Sequence, residues 1–385
     1  MNKLLKLVVA VSLLAVGLGA VEGAVPYRIT GVPDSFKAAT SVLNVGAFDD
    51  STRTAQEHFV TWDALEDVMA YYEPRQVIFD PTATAASITA WSAERGDNVF
   101  PLDVSFEGCR WLTDAYLQAF VVGTNGMIVK LNLYGTGVTD ISPLAGRTGL
   151  QTLDLTGCIG VTDISALANC RGLKTLDLRG CTGVTDISPL AGCTGLQNLD
   201  LRGTGVINIS VLEHCTGLRD LSLDGCIGVR DITLAGCPGL RDLDLDGCIG
   251  VTDISPLAGC TGLQTLYLRR CTNVTDIMPL ANCPGLQSLG LSGCTGVTDI
   301  SALAGCTRLQ YLGLSGCTGV INIMPLAGCT GLQTLILRGC IGVTDISVLE
   351  HCPGLQTLIL MGCIGVTDTD IDELQRSLPR LRIYR

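Results

Sequence analysis

Two stretches, GLQTLDLTGCIGVTDISALANC at 149–170 and GLKTLDLRGCTGVTDISPLAGC at 172–193, are near copies set 23 residues apart. Self-similarity at a fixed period marks a repeat architecture, in which each unit buries its apolar face only against its neighbours. Working outward from this pair, units open near Met127, Thr148, Arg171, Thr194, Thr216, Pro238, Thr261, Pro284, Thr307, Thr330 and Pro353, those at Thr194 and Thr216 being one residue short. A degenerate unit, DVSFEGCRWLTDAYLQAF, begins at Asp103.

Each unit reads as a short strand in which Leu153 and Leu155 point one way and Thr152, Asp154 and Thr156 the other. The Gly-rich turn around Gly157 and Gly160 leads to Val161 and Ile164 on an inward-facing return path. Ser188 then fits a helix N-cap with Pro189 at the first helical position, opening one turn that carries Leu190 inward. Strands stacked about 4.8 Å apart make a parallel sheet roughly 50 Å long, curved because its strand side is the wider. The expected fold class is an α/β solenoid with parallel strands on a concave face and short helical turns behind.

Such a coil is stable only when both ends are covered, because each buried Leu contributes about 1.5–3 kcal/mol that an open end forfeits. The reading therefore divides the chain into a secretory signal at 1–23, an N-terminal cap or small domain at 24–100, repeats at 101–368 and a C-terminal cap at 369–385. The signal rests on Lys3 and Lys6 before an apolar run ending in small residues. The first cap contains TWDALEDVMAYY, a plausible helix; the last, DTDIDELQRSLPRLRIYR, breaks the repeat with a longer charged helix.

Composition agrees with a repeat: 46 Gly and 19 Cys among 385 residues, 5% aromatics, 16% charged residues and a net charge of −12. No Lys follows Lys174, which disfavours a phosphate-binding surface and argues against nucleic acid as a partner. No later segment is apolar for long enough to span a bilayer. The cysteines form two columns, one after the strand (Cys158, Cys181, Cys226, Cys248) and one at the coil's end (Cys170, Cys193, Cys215, Cys237). With His58, His214 and His351 as the only histidines, no metal-ligand spacing emerges, and no cofactor is expected. Small buried thiols donating weakly to backbone carbonyls explain the columns, and reduced thiols are expected. The recurring Asp163, Asp186, Asp253, Asp276, Asp299 and Asp345 are read as caps of backbone amides in the turn.

The outward strand positions carry the candidate site. Asp220, Asp224, Asp242, Asp244 and Asp246 gather carboxylates on neighbouring strands, either as a solvated face or as a binding patch for a cation or basic ligand. Farther along, Tyr267, Arg269, Arg270 and Tyr311 supply groups that dominate protein interfaces, and Ile336, Ile359 and Met361 form an apolar stripe.

The TDISPLAGCTGLQTLDL pattern resembles the leucine-rich repeats of the bacterial internalins over about residues 127–370. The Gly157-Cys158 pair with Cys170 is similar to the cysteine-containing repeats of F-box proteins and of some protist leucine-rich repeat proteins. The resemblance implies a horseshoe that binds partners on its concave strands. This chain departs from it where Cys, Thr136 or Thr204 replaces the usual Asn of the turn, and no F-box is present.

These features favour a secreted, periplasmic or cell-surface protein that binds another protein, such as one on a host or neighbouring cell, and is not an enzyme. A structural or adhesive spacer without a specific ligand is the alternative. A third reading places an enzyme in 24–100, with His58, Asp63 and Glu66 as an acid–base set, although no nucleophile motif accompanies them. Asn208-Ile-Ser210 and Asn273-Val-Thr275 are glycosylation sequons in a eukaryotic source.

Overall fold

The computed structural model describes residues 27–30, 76–79, 102–110, 112–123 and 128–385. The signal, most of 24–100 with its predicted helix over 61–72, and His58, Asp63 and Glu66 lie outside the described residues. The chain divides into two compact units, Met1–Cys181 and Thr182–Arg385.

In the first unit β1 (Tyr27–Thr30) runs antiparallel to β2 (Gln76–Phe79). Then β3 (Leu102–Ser105), β4 (Ile128–Asn132), β5 (Thr152–Asp154) and β6 (Thr175–Asp177) continue the sheet in parallel. The degenerate coil carries a full helix, α1 (Asp114–Gly123), with the Phe120 ring edge-on to Phe106 at 5.0 Å between centroids. Asp114 fixes the next coil against α1 by accepting from the backbone N–H groups of Thr139 at 2.7 Å and Asp140 at 2.9 Å.

In the second unit nine strands run parallel, each three residues long and in unshifted register with the next where pairs are described. They are β7 (Asn198–Asp200), β8 (Asp220–Ser222), β9 (Asp242–Asp244), β10 (Thr265–Tyr267), β11 (Ser288–Gly290), β12 (Tyr311–Gly313), β13 (Thr334–Ile336), β14 (Thr357–Ile359) and β15 (Arg382–Tyr384). The final strand follows α2 (Asp368–Ser377), whose start is held by a reciprocal capping box between Thr367 and Asp370.

The inward residues are those the sequence pattern picks out, and there are more of them than the leucines alone. Leu150, Leu153, Leu155, Cys158, Val161, Ile164, Leu167 and Cys170 are each at most 1% exposed. The thiol after each strand reaches back to the preceding coil: Cys181 Sγ donates to the Leu155 carbonyl at 3.1 Å, Cys248 to Leu223 at 3.2 Å and Cys294 to Leu268 at 2.9 Å. Where Thr204 stands in for the cysteine, its hydroxyl donates to the Leu201 carbonyl at 2.7 Å. All nineteen cysteines are buried, and none forms a disulfide.

The return path corrects one reading. Ser188 is the first residue of the 3-10 turn Ser188–Gly192, not its cap, and Pro189 follows it. Asp186, two residues upstream, does the capping by accepting from Ser188 N at 2.8 Å and Ser188 Oγ at 2.9 Å. The same geometry recurs at Asp163, Asp253 and Asp299, and Asp345 likewise accepts from Ser347, while at Asp276 the donor is the backbone N–H of Met278, a residue with no hydroxyl. The short coil opening at Thr216 has lost this 3-10 turn, and Asp231 there pairs with Asp253 in an isolated parallel bridge.

Two predictions follow from these turns and thiols. Asp186→Ala should cost about 1 kcal/mol in denaturant unfolding. Asp186→Asn should cost much less, because Asn208 and Asn322 already cap Ser210 N and Met324 N at 2.9 Å. Burial pushes the Cys181 and Cys271 thiols from an ordinary 9.0 up to about 12. A raised thiol contributes stability that is whole below pH 9.0 and is lost as pH climbs toward the folded value. The thiolate absorbance should therefore stay flat just above that pH and rise only together with unfolding.

Candidate protein-interaction face

Residues at the first, third and fifth positions from the start of each strand face away from the core and form three columns crossing the strands. In the second unit the first column reads Asn198, Asp220, Asp242, Thr265, Ser288, Tyr311, Thr334 and Thr357. The third reads Asp200, Ser222, Asp244, Tyr267, Gly290, Gly313, Ile336 and Ile359. The fifth, Arg202, Asp224, Asp246, Arg269, Ser292, Ser315, Arg338 and Met361, lies where each strand turns out of the sheet. Backbone bonds such as Gly247 N to Arg269 O and Gly316 N to Arg338 O carry the stacking through it.

The five candidate carboxylates separate into different roles. Asp220 and Asp242 face each other directly across β8 and β9. Partial burial, then the Asp242 carboxyl beside it, raises the pKa of Asp220. Asp224 is exposed, and Asp244 is half-buried with its carboxylate accepting Asp246 N at 3.0 Å. Asp246 is not an open ligand at all: it is 9% exposed and accepts both the backbone N and the Nε of Arg269 at 2.6 Å. Its role is to hold Arg269, whose guanidinium carbon lies 5.2 Å from the centre of the Tyr267 ring.

Tyr267 and Tyr311 lie down on the sheet instead of standing off it. A Cβ on Gly290 would come within 2.8 Å of Tyr267 Cδ1, and one on Gly313 within 3.2 Å of Tyr311 Oη. Glycine at these two strand positions thus makes room for the rings, and Ser288 Oγ donates to Tyr267 Oη at 3.4 Å. Ile336 and Ile359 follow, half-buried, with Met361 42% exposed at the rim. The structure brings the named residues onto one strand face running from acidic through aromatic to apolar.

Other features escaped the sequence reading. A ridge of exposed turn isoleucines, including Ile227, Ile249, Ile341 and Ile364, lies outside the strand face. The clamp between Asp246 and Arg269 joins residues on different coils, so their spacing along the chain gave no sign of it. Among the described residues no three His, Cys, Asp or Glu side chains stand together as a metal site, and no helix is long and apolar enough to cross a membrane.

The family model described as Leucine Rich repeats (2 copies) matches residues 148–192 and 261–305. No curated protein matches the chain in sequence. Among solved structures the chain is similar to an internalin (inlF) of Listeria monocytogenes, at 24% identity and a TM-score of 0.68 over 86% of this chain and 91% of that one. It is also similar to a leucine-rich repeat protein of Leptospira interrogans, at 16% identity and a TM-score of 0.52 over 81% and 90% of the two chains.

The pairing of Asp220 with Asp242 yields a prediction about pH. A carboxyl whose folded pKa is raised contributes stability in acid that is lost as pH rises through that value. Asp242→Asn should therefore raise the melting temperature at neutral pH, and the gain should close as the pH falls toward the ordinary carboxyl value of 3.8.

Proposed function

We propose that this chain, a leucine-rich repeat solenoid with the fold of the internalins, binds a partner protein on its strand face outside the cytoplasm. Leucine-rich repeat proteins in general mediate protein–protein interactions, and the fold is typically a scaffold without catalysis. The observation that carries the reading is the graded face itself. The inward residues repeat almost unchanged from coil to coil, whereas the outward columns pass from Asp220, Asp242 and Asp244 through Tyr267 and Tyr311 to Ile336 and Ile359. A spacer needs only the inward set. Aromatic and arginine side chains beside polar ones are what concentrates binding energy at interfaces. The extracytoplasmic placement rests on the signal-like N-terminus, and a protein on a host or neighbouring cell surface is the proposed class of partner.

The test is capture by crosslinking from surface and extracellular material, with the unmodified protein beside two variants of matched melting behaviour. One variant carries Asn at Asp220, Asp224, Asp242 and Asp244, leaving the buried Asp246 in place; the other is Tyr311→Ala. A partner captured by the unmodified protein and lost from either variant supports the reading. Capture unchanged by both moves the site off the strand face, and no capture at all favours a spacer.

A further inference from the structure

The coil at 261–283 breaks the rule of its own repeat at two places. The residue leaving the strand is glycine at positive φ in the other repeats, as at Gly225 (φ 75°), Gly247 (φ 69°), Gly293 (φ 81°) and Gly316 (φ 73°). Here it is Arg270 at φ 66°, the one non-glycine with positive φ among the described residues. Three residues on, where neighbouring coils carry Gly250 and Gly296, this coil has Asn273, whose amide donates to the Ile249 carbonyl at 2.8 Å. Arg270 is locked in its conformation, since its N–H donates to Ser292 O at 2.8 Å and its oxygen accepts from Thr272 N at 2.9 Å. A left-handed conformation disfavours any residue with a Cβ, so an arginine kept there points to a use for its side chain.

The surroundings indicate what that use is. The chain carries a net charge of −12, yet the outward columns from β10 to β14 contain no carboxylate and hold Arg269 and Arg338, with Arg270 beside them. Asp246 neutralises Arg269 through Nε. Arg270 and Arg338 are exposed and make no side-chain hydrogen bond or ion pair among the described residues. Between them along the rim lie Ser292 and Ser315. A Cβ on Gly313 would sit 3.2 Å from Tyr311 Oη and 3.3 Å from Ser292 Oγ, which puts two hydroxyl donors over the same floor. The stem of Arg270 leans over the corner of the next coil, its Cγ lying 3.6 Å from where a Cβ on Gly293, the residue after Ser292, would be.

We infer that the rim from Arg270 to Arg338 is a docking strip for an extended acidic segment of the partner protein, crossing the strands. The inference rests on the strand-face reading above and names the partner's chemistry. Three strand spacings separate β10 from β13, about 14 Å. That distance matches about four residues of extended chain, whose side chains at i, i+2 and i+4 fall on one side. The segment therefore presents carboxylates at i and i+4, the first to Arg270 and the second to Arg338. A small polar residue at i+2 rests on Ser292 and Ser315. The carboxylates of β8 and β9 repel the acidic stretch and so fix its end at β10.

The probe is a fluorescent peptide, Thr-Glu-Thr-Ser-Thr-Glu-Thr, read by polarisation against the full chain, with its Gln-for-Glu counterpart and a heparin tetrasaccharide as competitor. The variants are Arg270→Gly and Arg270→Asn, both compatible with positive φ, and Arg338→Gln. The expected result is that Arg270→Gly melts about 2–4 °C higher while its peptide affinity drops about tenfold. Arg270→Asn and Arg338→Gln should show a similar loss of affinity, and the Gln peptide should bind at least as weakly. The inference is overturned if the unmodified chain does not bind the peptide, if the Gln peptide binds equally, or if Arg270→Gly binds undiminished. It is also overturned if heparin displaces the peptide at far lower concentration than unlabelled peptide does, which would make the site one for sulfated sugar. Loss of the peptide result with partner capture still dependent on Asp220, Asp224, Asp242 and Asp244 sinks this inference alone; loss of both sinks the strand-face reading as well.

Discussion

The fold depends on how sharply the chain leaves each strand. A strand of three residues contributes its central Leu to the core, followed by the Leu two residues on, as with Leu153 and Leu155. The backbone must then turn at once if Cys, Val and Ile are to face the same core on the way back. Glycine at positive φ makes that turn, and its N–H bonds to the following coil, as Gly247 N does to Arg269 O at 2.8 Å. Every other regularity, from the in-register strands to the stacked 3-10 turns, repeats because this corner repeats. Arg270 matters for the same reason: it holds the corner without the residue that makes the corner easy.

Stacking also explains why so many cysteines behave as structural residues. Each coil's first thiol is buried within reach of a carbonyl of the coil before it, an interaction that a larger polar side chain would have no room to make. Burial raises the thiol pKa and withholds the thiolate that oxidation and metal binding both require. Thr204 departs from this, since its hydroxyl bonds the Leu201 carbonyl of its own coil and does not reach the coil before.

The inward residues are confined by packing, and the outward ones are not. A change at Leu243 opens a cavity in a continuous core, while a change at Asp242 alters only charge and hydration. Outward columns can therefore differ from strand to strand at little expense to the fold. This freedom produces carboxylates on β8 and β9, tyrosines laid on Gly290 and Gly313, and arginines along the rim. The arrangement is orderly because the unshifted register places the third residue of one strand beside the third residue of the next.

The sequence alone determined the period, the strand in each unit, the inward leucines, the two thiol columns and the capping Asp. All of these are local patterns repeated often enough to be unmistakable. Only the tertiary structure decided what contacts run between coils. It turned Asp246 from a candidate ligand into the buried clamp of Arg269 and laid the tyrosines flat against the sheet. The physical reason is that a repeat fixes which way a side chain points through backbone geometry. What that side chain touches is set by residues one coil away, about 23 positions distant in the chain and independent of the periodic pattern.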